Sequence, residues 1–281
     1  MTSLQLADHF DRQNIVARII SGGLLALGAL AAVSAFGFDA PIWKAPFLMM
    51  ITVGGVVLSI EWSTMTAQVP DWRVMCVSSV AVLAVILIAF AGRFAEAAGG
   101  VVVGALASSA MASAARARAM DTAYGVIYIA PACLALMWLI QTPQGPGWTL
   151  MLFAATWTAD IAAFVFGNII KGPKLWPRFS PNKTWAGFIA GLLGATLASL
   201  AVAAAFMRLS LLGAGVIGFA GGLATMAGDL WESMLKRRYG VKDSGDLIPG
   251  HGGLLDRVDG LMFAVMVFAV ARLFVQLRWA H

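Results

Sequence analysis

Residues 228–259, GDLWESMLKRRYGVKDSGDLIPGHGGLLDRVD, form a densely charged segment between two apolar runs. The segment holds six of the fourteen carboxylates and five of the nineteen Lys and Arg residues of the chain. Charge of this density at the border of a membrane is usually functional. The segment therefore predicts two membrane helices joined by a functional polar loop.

The composition of the whole chain is that of a membrane protein. Of its 281 residues, 60% are hydrophobic and 12% are charged, whereas a soluble domain has about 25% charged residues. A membrane-spanning helix needs roughly 20 mostly apolar residues. Nine such runs lie near 15–36, 45–60, 74–92, 95–115, 122–141, 148–170, 186–207, 211–230 and 260–279. We predict an all-α fold, a polytopic transmembrane helix bundle of about nine spans that forms a single integral membrane domain over residues 1–281.

The distribution of Lys and Arg predicts the orientation of this bundle. In a nine-span arrangement, fourteen of these residues lie on the side of the 228–259 loop and five lie on the other side. Basic residues concentrate in cytoplasmic loops, so the loop is expected to face the cytoplasm from the inner (plasma) membrane of a bacterium. The net charge of +5 fits this bias and an attraction to anionic lipid. We therefore expect no nucleic-acid partner.

Helical spacing groups the polar residues of the segment by face. Asp229, Ser233 and Lys236 are spaced i, i+4 and i+7, so they share one face of a helix. Asp256 and Asp259 share a face where the next apolar run begins, and a helix N-terminus tolerates their charge. If the two helix ends meet, the three carboxylates form an oxygen-only site that suits Mg²⁺, with waters and phosphates as its other ligands.

The loop between these helices adds features typical of a phosphate site. Gly250-His251-Gly252-Gly253 provides backbone that can approach a phosphate closely. Positive charge comes from Lys236, Arg237, Arg238, Lys242 and Arg257. Together with the acids, these residues predict a site for polyphosphate and metal.

A second informative stretch covers residues 148–185. Asp160 lies inside the apolar run WTLMLFAATWTADIAAFVFGNII, where a carboxylate facing lipid costs at least about 2.5 kcal/mol. Asp160 is therefore expected either to line a hydrophilic pocket or to form a structural ion pair. The basic loop that follows, KGPKLWPRFSPNKTW (171–185), has three prolines that restrict its shape. Such a loop can simply set the topology, but it lies on the same side as residues 228–259 and within reach of them.

The first half of the chain shows little chemistry. Gly-rich and Ala-rich stretches there are typical of helix packing in lipid. Glu61 and Trp62 lie beside a short loop, and we interpret them as anchors at the membrane interface.

The 228–259 segment resembles, over its whole length, the signature of the CDP-diacylglycerol synthase (phosphatidate cytidylyltransferase) family. The matching positions, at the family spacing, are Ser233, Lys236-Arg237, Lys242-Asp243, Gly245, Pro249, His251-Gly252-Gly253, Asp256-Arg257 and Asp259. A second family block is similar to Ala159-Asp160 and to residues 180–185, Ser-Pro-Asn-Lys-Thr-Trp. Two places depart from it, because Ala186 stands where the family usually has Glu and Ile161-Ala162-Ala163 replaces a commoner run of Thr or Ser, Gly and Ala. The resemblance is thus concentrated in residues 156–185 and 228–260.

This resemblance implies a nucleotidyltransferase of phospholipid biosynthesis. Its substrates would be CTP and phosphatidate in the bilayer, and its products CDP-diacylglycerol and pyrophosphate. We expect Mg²⁺, with a second cation left open, to be bound by Asp229, Asp256 and Asp259. The expected catalytic residues are Lys236, Arg237, Lys242, His251 and Arg257. The expected substrate-binding residues are Asp160, Ser180, Asn182, Lys183 and Ser233. His251 either donates a hydrogen bond to the leaving pyrophosphate or orders the glycine turn.

Other functions stay open at this point. A related enzyme would use another lipid phosphate, and a catalytically inactive scaffold descended from the enzyme would be consistent with Ala186. An ion-coupled transporter would also place an Asp inside the membrane, although the charges here cluster at the border and no inverted repeat is evident. The sequence does not determine the oligomeric state and leaves a homodimer open.

Overall fold

The computed structural model describes residues 22–67, 69–177, 180–245 and 252–279, most of which are helical. Helix α1 covers Gly22–Phe36, and a 3₁₀ turn at Pro41–Lys44 leads into α2. The following helices are α2 (Ala45–Thr66), α3 (Trp72–Phe90), α4 (Phe94–Ala114), α5 (Ala119–Gln141), α6 (Gly145–Ile170), α7 (Trp185–Phe206), α8 (Leu211–Tyr239) and α9 (Leu255–Trp279). Strands β1 (Lys174–Trp176) and β2 (Ser180–Thr184) connect α6 to α7.

The prediction of an all-α polytopic membrane bundle is confirmed. Within the described ranges, eight helices, α2 to α9, are long and apolar enough to cross a membrane. The first predicted span, 15–36, begins outside the described residues, which contain its part from Gly22 onwards.

The two helices that border the charged segment extend beyond the predicted apolar runs. Helix α8 continues to Tyr239 instead of ending near 230, and α9 begins at Leu255 instead of near 260. Gly240, with a left-handed φ of +74°, ends α8. The last turn of α8 is basic, which suits the negative end of the helix dipole. Hydropathy marks only the apolar parts of these two helices. The helical spacing of Asp229, Ser233 and Lys236, and of Asp256 and Asp259, predicts the charged turns through which the helices continue.

The helices pack in two groups that meet beside the charged segment. In one group α6 packs on α7, α7 on α8 and α8 on α9, and in the other α3 contacts α2, α4 and α5. Helix α5 contacts α6 and α9, and α2 touches α8 and α9. Because short loops join successive helices, neighbours in the chain run antiparallel. The ends of α2, α6 and α8 therefore lie on the same side as the starts of α7 and α9.

Glycines allow very close helix contacts on this side. A Cβ on Gly187 of α7 would lie 2.7 Å from the carbonyl oxygen of Ala163 in α6. A Cβ on Gly228 of α8 would lie 2.5 Å from the carbonyl oxygen of Asp259 in α9. Small residues permit such backbone contact between membrane helices. These contacts fix α6 against α7 and α8 against α9.

The loop between α6 and α7 contains a short antiparallel hairpin that the sequence does not predict. Lys174 pairs with Thr184, and Trp176 pairs with Ser180. The restricted loop shape expected from the prolines thus takes the form of a hairpin. Thr184 ends β2 and caps α7, because its hydroxyl oxygen accepts a hydrogen bond from the N–H of Gly187 at 3.2 Å.

Candidate active site

An ion pair joins the two segments that the sequence singles out. The ammonium group of Lys183, in β2, contacts carboxylate oxygen Oδ2 of Asp229, in α8. Both side chains are partly buried, with 24% and 33% of their surfaces exposed. The hairpin before α7 therefore lies against the charged end of α8, on one side of the bundle.

Asp160 of α6 belongs to the same neighbourhood. The charges of Asp229, Lys183 and Arg257 all act on its carboxyl group. Protein packing leaves Asp160 exposed. The residue thus has charged neighbours, as both interpretations of it require.

A second set of ion pairs links α8 to α9. The ammonium group of Lys236 lies 3.1 Å from Oε2 of Glu232, one turn earlier in α8, and 2.5 Å from Oδ1 of Asp256 in the first turn of α9. The three side chains are 14%, 1% and 8% exposed. Removing one partner of a buried ion pair is strongly destabilising. Lys236 therefore holds the end of α8 against the start of α9.

The other oxygen of Asp256 binds both described ends of the loop between these helices. Its Oδ2 accepts hydrogen bonds from the N–H and the hydroxyl of Ser244, both at 3.0 Å, and from the N–H of Gly253 at 2.9 Å. A Cβ on Gly253 would lie 2.1 Å from the hydroxyl oxygen of Ser244, so a larger residue there would displace Ser244. Asp256 thus ties together the described residues on both sides of positions 246–251.

Acidic side chains approach one another where α8 and α9 cross. The carboxyl groups of Glu232 and Asp259 influence each other, and the charge of Asp229 acts on Asp259. Oε1 of Glu232 is buried and accepts no hydrogen bond from the described part of the chain. Carboxylates this close need a cation, a proton or a basic partner to offset their repulsion.

These acids do not form a closed metal cage. Among residues 22–67, 69–177, 180–245 and 252–279, no group of three or more His, Cys, Asp or Glu side chains has a metal-holding arrangement. Asp229 and Asp256 each contact a lysine. Mg²⁺ is, however, commonly bound through one or two carboxylates together with substrate phosphates and waters. The described acids fit a partial site of that kind.

The other expected substrate-binding residues lie on α8 and β2, the elements that carry Asp229 and Lys183. Ser233 of α8 and Ser180 of β2 are half-buried, and Asn182 is exposed beside Lys183.

The remaining expected catalytic residues differ in their surroundings. Arg257 is exposed on α9, with its charge acting on Asp160, and Lys242 is exposed in the loop after α8. Arg237 is also exposed and donates a hydrogen bond to the carbonyl oxygen of Val241 at 3.2 Å. His251 lies outside the described residues.

The two departures from the family block lie at the contact between α6 and α7. Ala186 occupies the first turn of α7 and is half-buried. A Cβ on Gly191 would lie 3.4 Å from the Cβ of Ala163, and one on Gly194 would lie 3.1 Å from the Cβ of Ala162. Small side chains are therefore kept where the two helices are closest.

Glu61 has a role that the sequence analysis missed. It is 5% exposed. Its Oε1 accepts a hydrogen bond from the N–H of Leu254 at 2.8 Å, and its Oε2 accepts one from the N–H of Leu255 at 2.7 Å. The interpretation of Glu61 as an interfacial anchor is therefore wrong, because the side chain caps α9 inside the protein. The available signal was a carboxylate at the end of an apolar run with no basic residue near it in sequence.

Trp62 is likewise a core residue instead of an anchor, since it is 2% exposed. Its ring centroid lies 5.5 Å from those of Tyr124 and Tyr128 and 6.2 Å from that of Tyr239. The indole N–H donates a hydrogen bond to the carbonyl oxygen of Asp121 at 2.8 Å. This aromatic cluster packs α2 against α5 and α8 beside the charged residues.

Comparison with known proteins relates this geometry to one family. The profile of the cytidylyltransferase family matches residues 16–275. A phosphatidate cytidylyltransferase of Brucella suis is 45% identical over 144 residues, which are 50% of this chain and 53% of the relative. The enzymes of that name from Staphylococcus saprophyticus and Pseudomonas aeruginosa are 39% identical over 149 residues and 38% identical over 151 residues. Each of these two alignments covers 52% of this chain, and they cover 57% and 54% of the relatives. The chain thus spans about half the length of the curated relatives it matches.

Proposed function

The chain belongs to the cytidylyltransferase family, and from this premise we propose that it transfers the cytidylyl group of CTP to phosphatidate in the membrane. An oxygen of the phosphatidate phosphate attacks the α-phosphorus of CTP. The bond between the α-phosphorus and the oxygen that bridges it to the β-phosphate breaks. The products are CDP-diacylglycerol and pyrophosphate.

The contact between Lys183 and Asp229 is the observation that carries this proposal. It brings the hairpin before α7 to the charged end of α8, which the Lys236–Asp256 pair connects to α9. Basic and acidic groups from both informative segments therefore surround one region. A reaction between two phosphates needs such a region, because positioning and charge neutralisation supply nearly all of the catalysis.

The chain's own residues can orient both phosphates without a general base. A phosphomonoester has a second pKa near 6, so phosphatidate is largely dianionic at neutral pH. Lys183 and Arg257, whose charges both act on Asp160, would bind phosphate oxygens. Asp229 orients the ammonium group of Lys183 through their ion pair. Lys236 adds positive charge between α8 and α9.

We assign Mg²⁺ to the acids at the crossing of α8 and α9. Asp229, Asp256 and Asp259 would hold it, and the buried Oε1 of Glu232, which accepts no hydrogen bond from the described residues, fits a cation beside them. When bound, the ion would neutralise charge on the transferring phosphates. A second cation would fit the same acidic surroundings.

The position of Asp160 supports a substrate that comes from the lipid phase. Asp160 lies about 15 Å along α6 from the helix end at Ile170, at 1.5 Å per residue. The charged region therefore reaches below the helix ends towards the bilayer. A phosphate attached to acyl chains would approach the site from that side.

The chain is an integral membrane protein, and we place its site at the cytoplasmic face of a bacterial inner membrane. In the nine-span arrangement expected from the sequence, fourteen Lys and Arg residues on the side of the site against five on the other side support this orientation. CTP is then available from the cytoplasm.

The test is a direct assay of lipid product. The purified full chain in detergent receives phosphatidate, radiolabelled CTP and Mg²⁺, and the lipid extract is examined for labelled CDP-diacylglycerol. We expect product and equimolar pyrophosphate, and loss of both when a chelator is added. An isoprenoid glycerol phosphate offered in parallel distinguishes a related lipid substrate. CTP binding without any lipid product would contradict the proposal and indicate an inactive scaffold.

A further inference from the structure

We propose that Glu61 is a positioning residue for the transfer reaction, because its carboxylate sets the start of α9, whose first turn carries Asp256 and whose second turn begins with Asp259. Glu61 lies in α2, in the half of the chain where the sequence shows little chemistry. The inference rests on the proposed function, since it concerns how the site for that reaction is held in shape.

The carboxylate of Glu61 uses both oxygens on successive backbone groups. Oε1 accepts from the N–H of Leu254 at 2.8 Å and Oε2 accepts from the N–H of Leu255 at 2.7 Å. The first N–H groups of a helix have no partner within the helix. An anion is favoured there by the helix dipole, and hydrogen bonds to a charged acceptor are stronger than neutral ones.

The described ends of the loop between α8 and α9 lie close to this side chain. A Cβ on Gly253 would lie 2.8 Å from Oε2 of Glu61, and a Cβ on Gly245 would lie 3.3 Å from its Oε1. These glycines lie on either side of positions 246–251. Glu61 is therefore enclosed by the described ends of the loop as well as by the start of α9.

Glu61 and Asp256 share a continuous run of donors. The N–H of Gly253 donates to Oδ2 of Asp256, and the next two N–H groups, of Leu254 and Leu255, donate to Glu61. The cap thus ends one residue before Asp256. A displacement of about 1 Å in a catalytic group can cost on the order of 100-fold in rate. A shift of this turn should therefore lower the rate of the transfer.

The variant Glu61→Gln tests the role with little change in volume. Gln has a single carbonyl oxygen, and its amide group would face the second backbone N–H donor to donor. Glu96→Gln is the matched control, because Glu96 also lies in a membrane helix but is 53% exposed and pairs with Arg93 at 3.1 Å.

We expect kcat per folded molecule of Glu61→Gln to fall about tenfold or more, as loss of a charge-assisted hydrogen bond would give. The Mg²⁺ concentration for half-maximal rate should rise, because the start of α9, which carries Asp256 and Asp259, is displaced. The control should keep wild-type values. A variant with a lower Tm but unchanged kcat and Mg²⁺ dependence would show a merely structural role and overturn the proposal.

Hydrogen–deuterium exchange gives a second measurement that requires no activity. Peptides covering residues 252–258 of the wild-type protein should exchange slowly, and those of Glu61→Gln should exchange faster. Rapid exchange in the wild type would overturn the cap itself. If Glu61→Gln does not fold, Glu61→Asp replaces it, since the shorter carboxylate cannot reach both N–H groups.

The two proposals fail in different ways. A wild-type protein that forms no CDP-diacylglycerol contradicts the proposed function. An active wild type whose Glu61→Gln variant is equally active contradicts only the role of Glu61.

Discussion

Lys183 of the hairpin and Asp229 of α8 form an ion pair. Seven residues after Asp229 on the same helix, Lys236 forms a second lysine–aspartate pair with Asp256. Asp229 and Lys236 lie on the same face of α8, about 10 Å apart along its axis at 1.5 Å per residue. One face of a single helix therefore connects β2 to α9. The expected nucleotide site is organised around this face.

The first prediction concerns the ion pair that joins the two segments. Lys183→Ala and Asp229→Asn should each lower kcat/KM about 100-fold or more, because each removes a group that positions phosphate or metal. The double variant should be little worse than the more damaged single variant, since residues that act as a unit are not additive. Steady-state kinetics with CTP and phosphatidate give kcat/KM for the wild type, the two single variants and the double variant.

Lys174→Ala is the control for the Lys183 and Asp229 variants. Lys174 is an exposed lysine of the same hairpin, and its replacement should leave kcat/KM within about threefold, as for surface positions away from the site. Strictly additive effects of the two site variants would show that Lys183 and Asp229 act independently.

The second prediction is that Asp256→Asn abolishes transfer while the protein stays inserted and folded, with a lower Tm because a buried ion pair is lost. Asn keeps an oxygen that can accept hydrogen bonds from Ser244 and Gly253, and Lys236 keeps Glu232 as a partner. The lost charge is the one expected to act on the metal. Product formation with Mg²⁺ and CTP is measured beside the Tm in detergent, with the exposed Asp39→Asn as control. Undiminished activity would contradict the role of Asp256 as a metal ligand.

The third prediction concerns the contact between α8 and α9. A Cβ at Gly228 would lie 2.5 Å from the carbonyl oxygen of Asp259 and 3.0 Å from the Cα of Gly260. Gly228→Ala should therefore push the helices apart and lower stability by about 1–3 kcal/mol, as overpacking does. Gly99→Ala is the control, because nothing lies within 4 Å of its Cβ position. Equal Tm values for the two variants would contradict the close contact.

The fourth prediction concerns Ala186, where the family usually has Glu. Ala186→Glu places an acid in the first turn of α7, which should add about 0.3–1 kcal/mol of stability through the helix dipole. The rate should change by less than about threefold, which corresponds to a change of less than about 1 kcal/mol in the activation free energy. A tenfold gain in kcat would instead show that the missing acid limits the proposed transfer. Tm and initial rates decide between these outcomes.

Hydropathy and motif spacing predicted the bundle and the two segments that meet, because both depend on local residue types. The exact ends of the helices were harder to predict. Leu255 begins α9 ahead of the apolar run because a carboxylate from another helix caps it. The hairpin of β1 and β2 was missed because its pairing joins short, polar, proline-containing stretches that show no strand pattern.

The partners of individual charges could not be predicted for a different reason. Asp256 was expected to face a metal, and the structure adds a lysine and three hydrogen bonds around the same carboxylate. Glu61 contacts backbone N–H groups 193 and 194 residues further along the chain. A sequence does not indicate which backbone N–H groups bind a distant carboxylate, so such a cap is seen only in the structure.

The most direct test of the central claim is to label the nucleotide site of the full chain. A CTP analogue with a photoreactive group on its γ-phosphate is bound in the presence of Mg²⁺, activated by light, and mapped by mass spectrometry. We predict labelled peptides from both residues 174–187 and residues 229–259, with excess CTP suppressing both. Labelling confined to one of these segments, or labelling that CTP does not suppress, would contradict a single site built between Lys183 and Asp256.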